Sequence, residues 1–361
     1  MDGKVAIIGT GLIGGSIGLA LRASGAEVVG HDDDYVAARA ALQRGAIERA
    51  ASSASEAVDG AELVILAVPV DRMEAVCSQI DPGPEAVVTD VGSAKAAAVA
   101  HGEASFGERF IGGHPMAGSE RQGVEAADAA LFQGAYWILT PTPATSDRSY
   151  GVVADLAGRL GATPVAVEPA VHDALVARLS HLPQLVASAL VEVAVTTGDQ
   201  DALLGLAAGG FRDVTRIAAS DAGLWVPILR ANRSAVLDAL DGLERRFEDL
   251  GSLLREGRWE ELRLFLDRAR RARLQLFAKP VYGGDPAALD LMIPDRPGVL
   301  AEVTTAAGEI GANIEDLRII HSTEGGRGRL HLVVAGEEKA RRLESALERL
   351  GYRVERGELL E

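Results

Sequence analysis

The residue best suited to acid–base chemistry is His114, in the stretch Gly112-Gly113-His114-Pro115-Met116-Ala117-Gly118-Ser119-Glu120. Imidazole titrates near neutral pH, so a held histidine is a natural proton acceptor. Pro115 fixes a backbone dihedral beside it, and Gly112, Gly113 and Gly118 let backbone or ligand approach closely. The stretch reads as a small loop after the apolar Phe110-Ile111; the alternative is a turn whose histidine only bonds a carbonyl. Ser93, in Gly92-Ser93-Ala94-Lys95, either caps the helix that follows or turns its hydroxyl toward a bound cofactor and His114. The run Ser180-His181-Leu182-Pro183-Gln184 interrupts an apolar helix, and Pro183 should kink it near His181. Arg212 and Arg216 are four apart, on one face if that segment is helical. Asp213 either pairs with Arg216, or one of the arginines clamps a carboxylate with the fork of its guanidinium.

These groups need a scaffold, and the first part of the chain supplies one. Val5-Ala6-Ile7-Ile8 is a continuous apolar run, as in a parallel strand buried on both faces. It runs into Gly9-Thr10-Gly11-Leu12-Ile13-Gly14, then a helical stretch, a second strand and Asp32. This is G-x-G-x-x-G with strand before, helix after and an acid about 20 residues on, the dinucleotide-binding pattern. Gly9 makes the tight turn, Gly11 lets backbone reach the pyrophosphate, and Gly14 lets helix pack on strand; the helix N-terminus, with Leu12 and Ile13, faces the phosphates. Asp32 is read as the ribose acceptor, which favours NAD over NADP; Asp33 or Asp34 are alternatives, as is a solvated turn. Strands at Glu62–Val70, Ala86–Val91, Arg109–Gly112, Ala135–Leu139 and Thr163–Val167 extend the sheet. Val68 and Pro69 border the cofactor crevice at a strand end. Cys77 belongs to a helical core.

From Glu168 to about Ala278 the apolar period is helical. The strongly apolar segment 182–206 predicts a homodimer through these helices, the alternative being a lobe folded back on the nucleotide domain. The tail reads strand, helix, strand, strand, helix, strand, a ferredoxin-like βαββαβ order. Asp295, Arg296, Pro297, Gly298, Val299 and Leu300 join its first strand to its first helix, where open backbone donors near Gly298 suit an amino-acid carboxylate. The fold class is therefore α/β: a Rossmann-type dinucleotide-binding domain (1–167), an all-helical substrate and dimerisation domain (168–280) and a ferredoxin-like domain (286–361).

Bulk composition removes several functions. A formal charge of −16 over 361 residues opposes nucleic acid and anionic membrane surfaces. One cysteine excludes an internal disulfide and a thiolate metal site, and no ligand cluster calls for a metal. No apolar run approaches the ~20 residues that span a bilayer, and the chain opens without a charged leader. A cytoplasmic location is expected.

Together, Gly9–Gly18, Asp90-Val91-Gly92-Ser93-Ala94-Lys95, Gly112–Glu120, Ser180-His181-Leu182-Pro183, and Phe211–Ile217 followed by Trp225 resemble the prephenate/arogenate dehydrogenases of tyrosine biosynthesis, over roughly residues 1–280. The tail resembles an ACT domain. The resemblance implies NAD-dependent oxidative decarboxylation of prephenate to 4-hydroxyphenylpyruvate, with His114 as general base. It further implies that Ser93 bonds near the substrate hydroxyl, that His181 shapes the substrate–nicotinamide junction and that Arg216 holds a substrate carboxylate. Glu120 would restrain the loop and the arginine, and Gly210 and Trp225 would reach a neighbouring subunit's pocket. Tyrosine or another amino acid would bind the tail through Asn313 and the 295–300 turn. Arogenate, which carries an amino group in place of the keto group, is the alternative substrate. Gln184 stands where many members have histidine. Two other classes remain: a different NAD-dependent enzyme of this plan, which would need a lysine base that residues 143–280 offer only at Lys279, and a non-catalytic regulator sensing NAD and amino acid.

Overall fold

The computed structural model describes residues 3–118, 121, 123–196, 209–276, 285–294, 296–321 and 327–357. Among the expected site residues, Glu120 and Asp295 lie outside the described residues, as does all of 197–208, where the apolar helical segment ends. The chain forms two compact units, residues 1–249 and 250–361.

The first unit is built on an eight-stranded sheet: β1 (Val5–Ile8), β2 (Val28–His31), β3 (Arg49–Ala50), β4 (Leu63–Leu66), β5 (Val87–Asp90), β6 (Phe110–Pro115), β7 (Tyr136–Thr140) and β8 (Thr163–Ala166). Their spatial order is β3-β2-β1-β4-β5-β6-β7-β8. Only the β6–β7 pairing is antiparallel. The order reverses at β1, so the crevice beyond the carboxyl ends of β1 and β4 is the place for a ligand. Both faces are covered, which is why these strands are apolar at every position. Val5, Ile7, Leu63 and Ile65 pack to one side with Ile17, Phe132 and Trp137. Ala6, Ile8, Val64 and Leu66 pack to the other with Met73, Cys77 and Phe110. Cys77 is buried in that second core. The short β3 carries too few residues to show a period in the sequence. The 141–146 segment is a turn within the sheet unit. The helix after it, Asp147–Arg159, starts earlier than its apolar pattern because Ser146 caps it through the amide of Ser149.

A continuous helical run, Pro169–Val195, follows β8. Its 27 residues are long and apolar enough, by length and composition, to cross a membrane. The sequence reading found no such run because His172, Asp173, Arg178 and His181 break it. Val171, Leu175, Leu179, Leu190, Val193 and Val195 are all exposed on it. After residue 208 come the helix Gly209–Thr215, the 3₁₀ turn Arg216–Ala219 and the helix Ala222–Ala231. The 3₁₀ turn packs against the helix Leu182–Val195, and Ala222–Ala231 packs on the turn Val70–Arg72 just beyond β4.

The second unit contains the helix Trp259–Leu276 and a four-stranded antiparallel sheet: β9 (Pro286–Pro294), β10 (Ile314–His321), β11 (Arg327–Ala335) and β12 (Arg353–Gly357). Their order is β10-β11-β9-β12. Helices Val299–Glu309 and Glu337–Arg349 complete a βαββαβ succession. Leu289, Leu291, Leu330, Leu332 and Val334 alternate along the strands to meet Val303, Leu343 and Leu347.

Candidate active site

The glycine turn has the geometry that each of its glycines predicts. Gly9 has φ +93°, and a Cβ there would lie 2.3 Å from the Ala67 carbonyl oxygen. Gly14 sits so close that a Cβ would be 2.0 Å from the Gly9 oxygen. Gly11 has open space where its side chain would be and occupies the cap position of helix Leu12–Ala23, with no side-chain cap and no acidic residue in the first turn. An uncapped, uncharged helix start with room in front of it fits a pyrophosphate. Asp32, at the end of β2, accepts from the Thr10 amide at 2.7 Å and from the Thr10 hydroxyl at 3.1 Å. It thus stands at the lip of the turn. Asp34 is occupied as the N-cap of Tyr35–Gln43, and Asp33 is exposed beside His31, which sorts the three aspartates. Val68 is half-buried and Pro69 exposed at the end of β4.

His114 corrects the sequence reading: it lies in strand β6, paired with Ile138 of β7, rather than in a loop. Gly112 and Gly113 are strand residues whose missing Cβ atoms admit neighbouring protein. A Cβ at Gly112 would lie 2.3 Å from the Thr140 hydroxyl, and one at Gly113 would lie 2.7 Å from the Asp90 carbonyl oxygen. Because β1, β4, β5 and β6 run parallel, His114, Ser93, Pro69 and the glycine turn all fall at one edge of the sheet.

Behind His114 is a buried polar network that the sequence reading missed. His114 Nδ1 is 2.8 Å from His172 Nε2. His172 Nδ1 is 2.8 Å from Asp173 Oδ1. The Asp173 carboxylate also accepts from the amides of Lys95 (2.7 Å) and Ala96 (2.9 Å). Lys95, fully buried, donates its ammonium to Asp90 and, at 2.8 Å, to the Gly113 carbonyl. Burial lowers the Lys95 pKa, with the Asp90 carboxylate opposing that fall. For Asp173, burial pushes its pKa upward, but bonds from His172 and the two amides outweigh it and leave the carboxyl below its ordinary value. The signal available in the sequence was a His-Asp pair in an apolar helix, which a fold can bury only if partnered.

The chain of bonds fixes protons. A carboxylate only accepts, so His172 carries its hydrogen on Nδ1 and offers Nε2 as an acceptor. His114 therefore donates from Nδ1, and its Nε2 keeps a lone pair that can accept a proton. Burial, then the Lys95 charge, then His172 and His181 hold the His114 pKa well below the ordinary histidine range. The ring is neutral at physiological pH.

His181 is buried, 3.2 Å from the Asn232 amide nitrogen and edge-on to Trp225 at 6.0 Å between ring centres. Burial depresses its pKa to about 4, against an opposing pull from Asp173. The expected kink takes the form of a π turn over Ala177–His181. Pro183 has no N–H and crowds the carbonyl four residues back, so the turn widens there. Trp225 meets His181 of its own chain. Ser93 is half-buried and lies before the helix Ala96–Phe106, whose cap position belongs to Lys95. The N-cap reading of Ser93 is thereby excluded, since Asp173 satisfies those amides. Arg212 and Arg216 do not share a regular helix, because it ends at Thr215; Arg216 opens the exposed 3₁₀ turn. Gly210 is exposed at that helix's start. Gln184, one turn beyond His181, is buried with its amide oxygen unpartnered.

In the second unit, Gly298 adopts φ +92° with open space around it and precedes helix Val299–Glu309 without a side-chain cap. Pro297 and Leu300 are exposed and Val299 is buried. Asn313 donates its amide to Glu315 at 2.5 Å. Among the described residues no group of three or more His, Cys, Asp or Glu side chains could hold a metal ion.

Two sequence profiles match this chain: the nucleotide-binding domain of prephenate dehydrogenase over residues 17–165, and its dimerization domain over 168–268. The prephenate dehydrogenase of Bacillus subtilis is 34% identical, with 96% of each chain covered. The solved prephenate dehydrogenase of Aquifex aeolicus, in complex with hydroxyphenyl propionate and NAD+, has TM-score 0.71 and 33% identity, over 76% of this chain and 98% of that one. A Synechocystis arogenate dehydrogenase has TM-score 0.66 and 30% identity, over 76% of this chain and 99% of that one. With both domains matched and a named relative aligned almost end to end, the chain belongs to the prephenate dehydrogenase family of NAD-dependent oxidoreductases.

Proposed function

We propose that this chain oxidises and decarboxylates prephenate to 4-hydroxyphenylpyruvate. The observation that carries this reading is the relay Asp173–His172–His114, which leaves His114 Nε2 as a bare acceptor at the sheet edge that holds the glycine turn. Gly9, Gly11, Gly14, Leu12, Ile13, Asp32, Val68 and Pro69 hold NAD, which supplies the hydride acceptor. His114 Nε2 takes the proton of the substrate hydroxyl while hydride departs from the carbinol carbon. The ring carboxylate leaves as CO2, and its bonding electrons complete the aromatic ring. His172 and Asp173 keep the base in the accepting tautomer. Ser93 and His181 bond around the hydroxyl, and Arg216 anchors a substrate carboxylate.

Two accompanying readings follow. The exposed apolar row Val171, Leu175, Leu179, Leu190, Val193 and Val195 is covered by a second copy, giving a homodimer through the helical domain of a soluble, cytoplasmic enzyme. The C-terminal βαββαβ unit acts as an ACT-type regulatory domain that takes tyrosine or another amino acid at Pro297–Leu300 and Asn313. Arogenate is the second substrate reading. It is favoured by Gln184, whose unpartnered buried oxygen can accept from an ammonium, whereas a keto group has no hydrogen to give it.

The test mixes purified protein with NAD and prephenate and follows NADH absorbance and 4-hydroxyphenylpyruvate, then repeats with arogenate, with NADP and with tyrosine. NADH from prephenate supports the first reading. Turnover of arogenate alone moves the assignment to the second. NAD binding with neither substrate consumed makes the chain a sensing regulator.

A further inference from the structure

The described network does more than orient the base. The Asn232 amide nitrogen is 2.8 Å from the main-chain oxygen of Asp173 and 3.2 Å from His181 Nδ1. Asn232 is 4% exposed and terminates the helix that carries Trp225. A carbonyl oxygen can only accept, so the amide must turn its NH2 toward Asp173. Its second hydrogen then points at His181 Nδ1, which must accept. In a neutral imidazole the proton lies on the other nitrogen. We propose that Asn232 is a positioning residue that holds His181 as the Nε2–H tautomer, so that the site sets a hydrogen-bond donor at 181 against the acceptor at 114. Both assignments trace to Asp173: its carboxylate orders His172 and His114, and its carbonyl orders Asn232 and His181.

Other groups around His181 agree. Trp225 packs edge-on against one side. The pull of Asp173 toward the protonated form does not overcome burial and His172, which both oppose it, so the His181 ring stays neutral. Opposite tautomers suit the reaction proposed above, on which this inference rests. One imidazole removes the hydroxyl proton while the other donates to substrate oxygen.

The test reads tautomers directly, apart from turnover. The full chain is labelled with 15N-histidine and two-bond 1H–15N spectra are recorded at neutral pH. Resonances are assigned by their loss in His114→Gln and His181→Gln. The expected result is Nδ1–H at His114 and Nε2–H at His181. Asn232→Leu should convert His181 to a tautomer mixture and lower kcat tenfold or more, with KM changed less than threefold. Asn232→Ser, which retains one donor, should recover part of that loss and serves if the leucine variant does not fold. Nδ1–H at His181 in the unaltered chain overturns the proposal. So does an Asn232→Leu protein with a single Nε2–H form and kcat within twofold. If the tautomers come out as stated but prephenate yields no NADH, the substrate assignment falls and the role of Asn232 stands.

Discussion

Among the described residues there are two buried carboxylate–imidazole pairs, and they lead to different surroundings. Asp173–His172 lies in the first unit and Asp290–His331 in the second, each with Nδ1 at 2.8 Å from the carboxylate oxygen. Both aspartates have pKa values below the ordinary carboxylate range, because hydrogen bonds and cations outweigh burial. The continuations differ. His172 passes its bond on to His114 at the sheet edge. His331 faces Asp290 across paired strands β11 and β9, and its Nε2 is buried with no partner. Arg329 takes the other Asp290 oxygen. The difference lies at the far nitrogen: in the first unit it reaches another imidazole, the general base of the proposed reaction, and in the second it ends inside the sheet.

The largest effect that would break this comparison is at His114. His114→Asn should lower kcat by about 10³, within the range for a lost general base, while NAD still binds in a fluorescence titration. Next is the pair itself. Asp173→Asn should lower kcat by roughly 10² through loss of the fixed tautomer, whereas Asp290→Asn should leave kcat within twofold and lower the melting temperature. Turnover abolished by Asp290→Asn would end the distinction. Third, stability should depend on pH through His181. Its folded pKa of about 4 lies below the unfolded value near 6.5, so the unfolded chain binds more protons between them. Stability is full above 6.5 and is lost as pH falls toward 4, by on the order of 3 kcal/mol. Melting curves of His181→Gln should show a flatter decline over that window. Fourth, Arg216→Ala should raise KM about tenfold with kcat little changed if it binds ground and transition states alike; an unmoved KM makes it structural. The smallest effect sharpens the cofactor end: Asp32→Ala should narrow the preference for NAD over NADP by roughly tenfold in steady-state kinetics with each cofactor.

The glycine turn was legible because its function is local: three glycines, a strand before and a helix after need no distant partner to be recognised. The same holds for Pro183, whose missing N–H forecast a disturbance at His181, though not that it would be a π turn. The His114 network was not legible. His172 is 58 positions from His114, Asp173 is 78 from Lys95 and Asn232 is 51 from His181. No period or spacing links residues so far apart. Gly112 and Gly113 misled for a related reason. Two adjacent glycines read as a loop, but here they clear room for Thr140, Asp90 and Trp137 within a strand.

The π turn at Ala177–His181 has a geometric consequence for the two later histidines. At 3.6 residues per turn, positions 172 and 181 on one unbroken α-helix would point in directions about 180° apart. A widened turn absorbs one extra residue and winds the second imidazole back by about 100°, leaving the two roughly 80° apart. A single rod can thereby deliver both rings to the same side, where one carboxamide spans from Asp173 to His181.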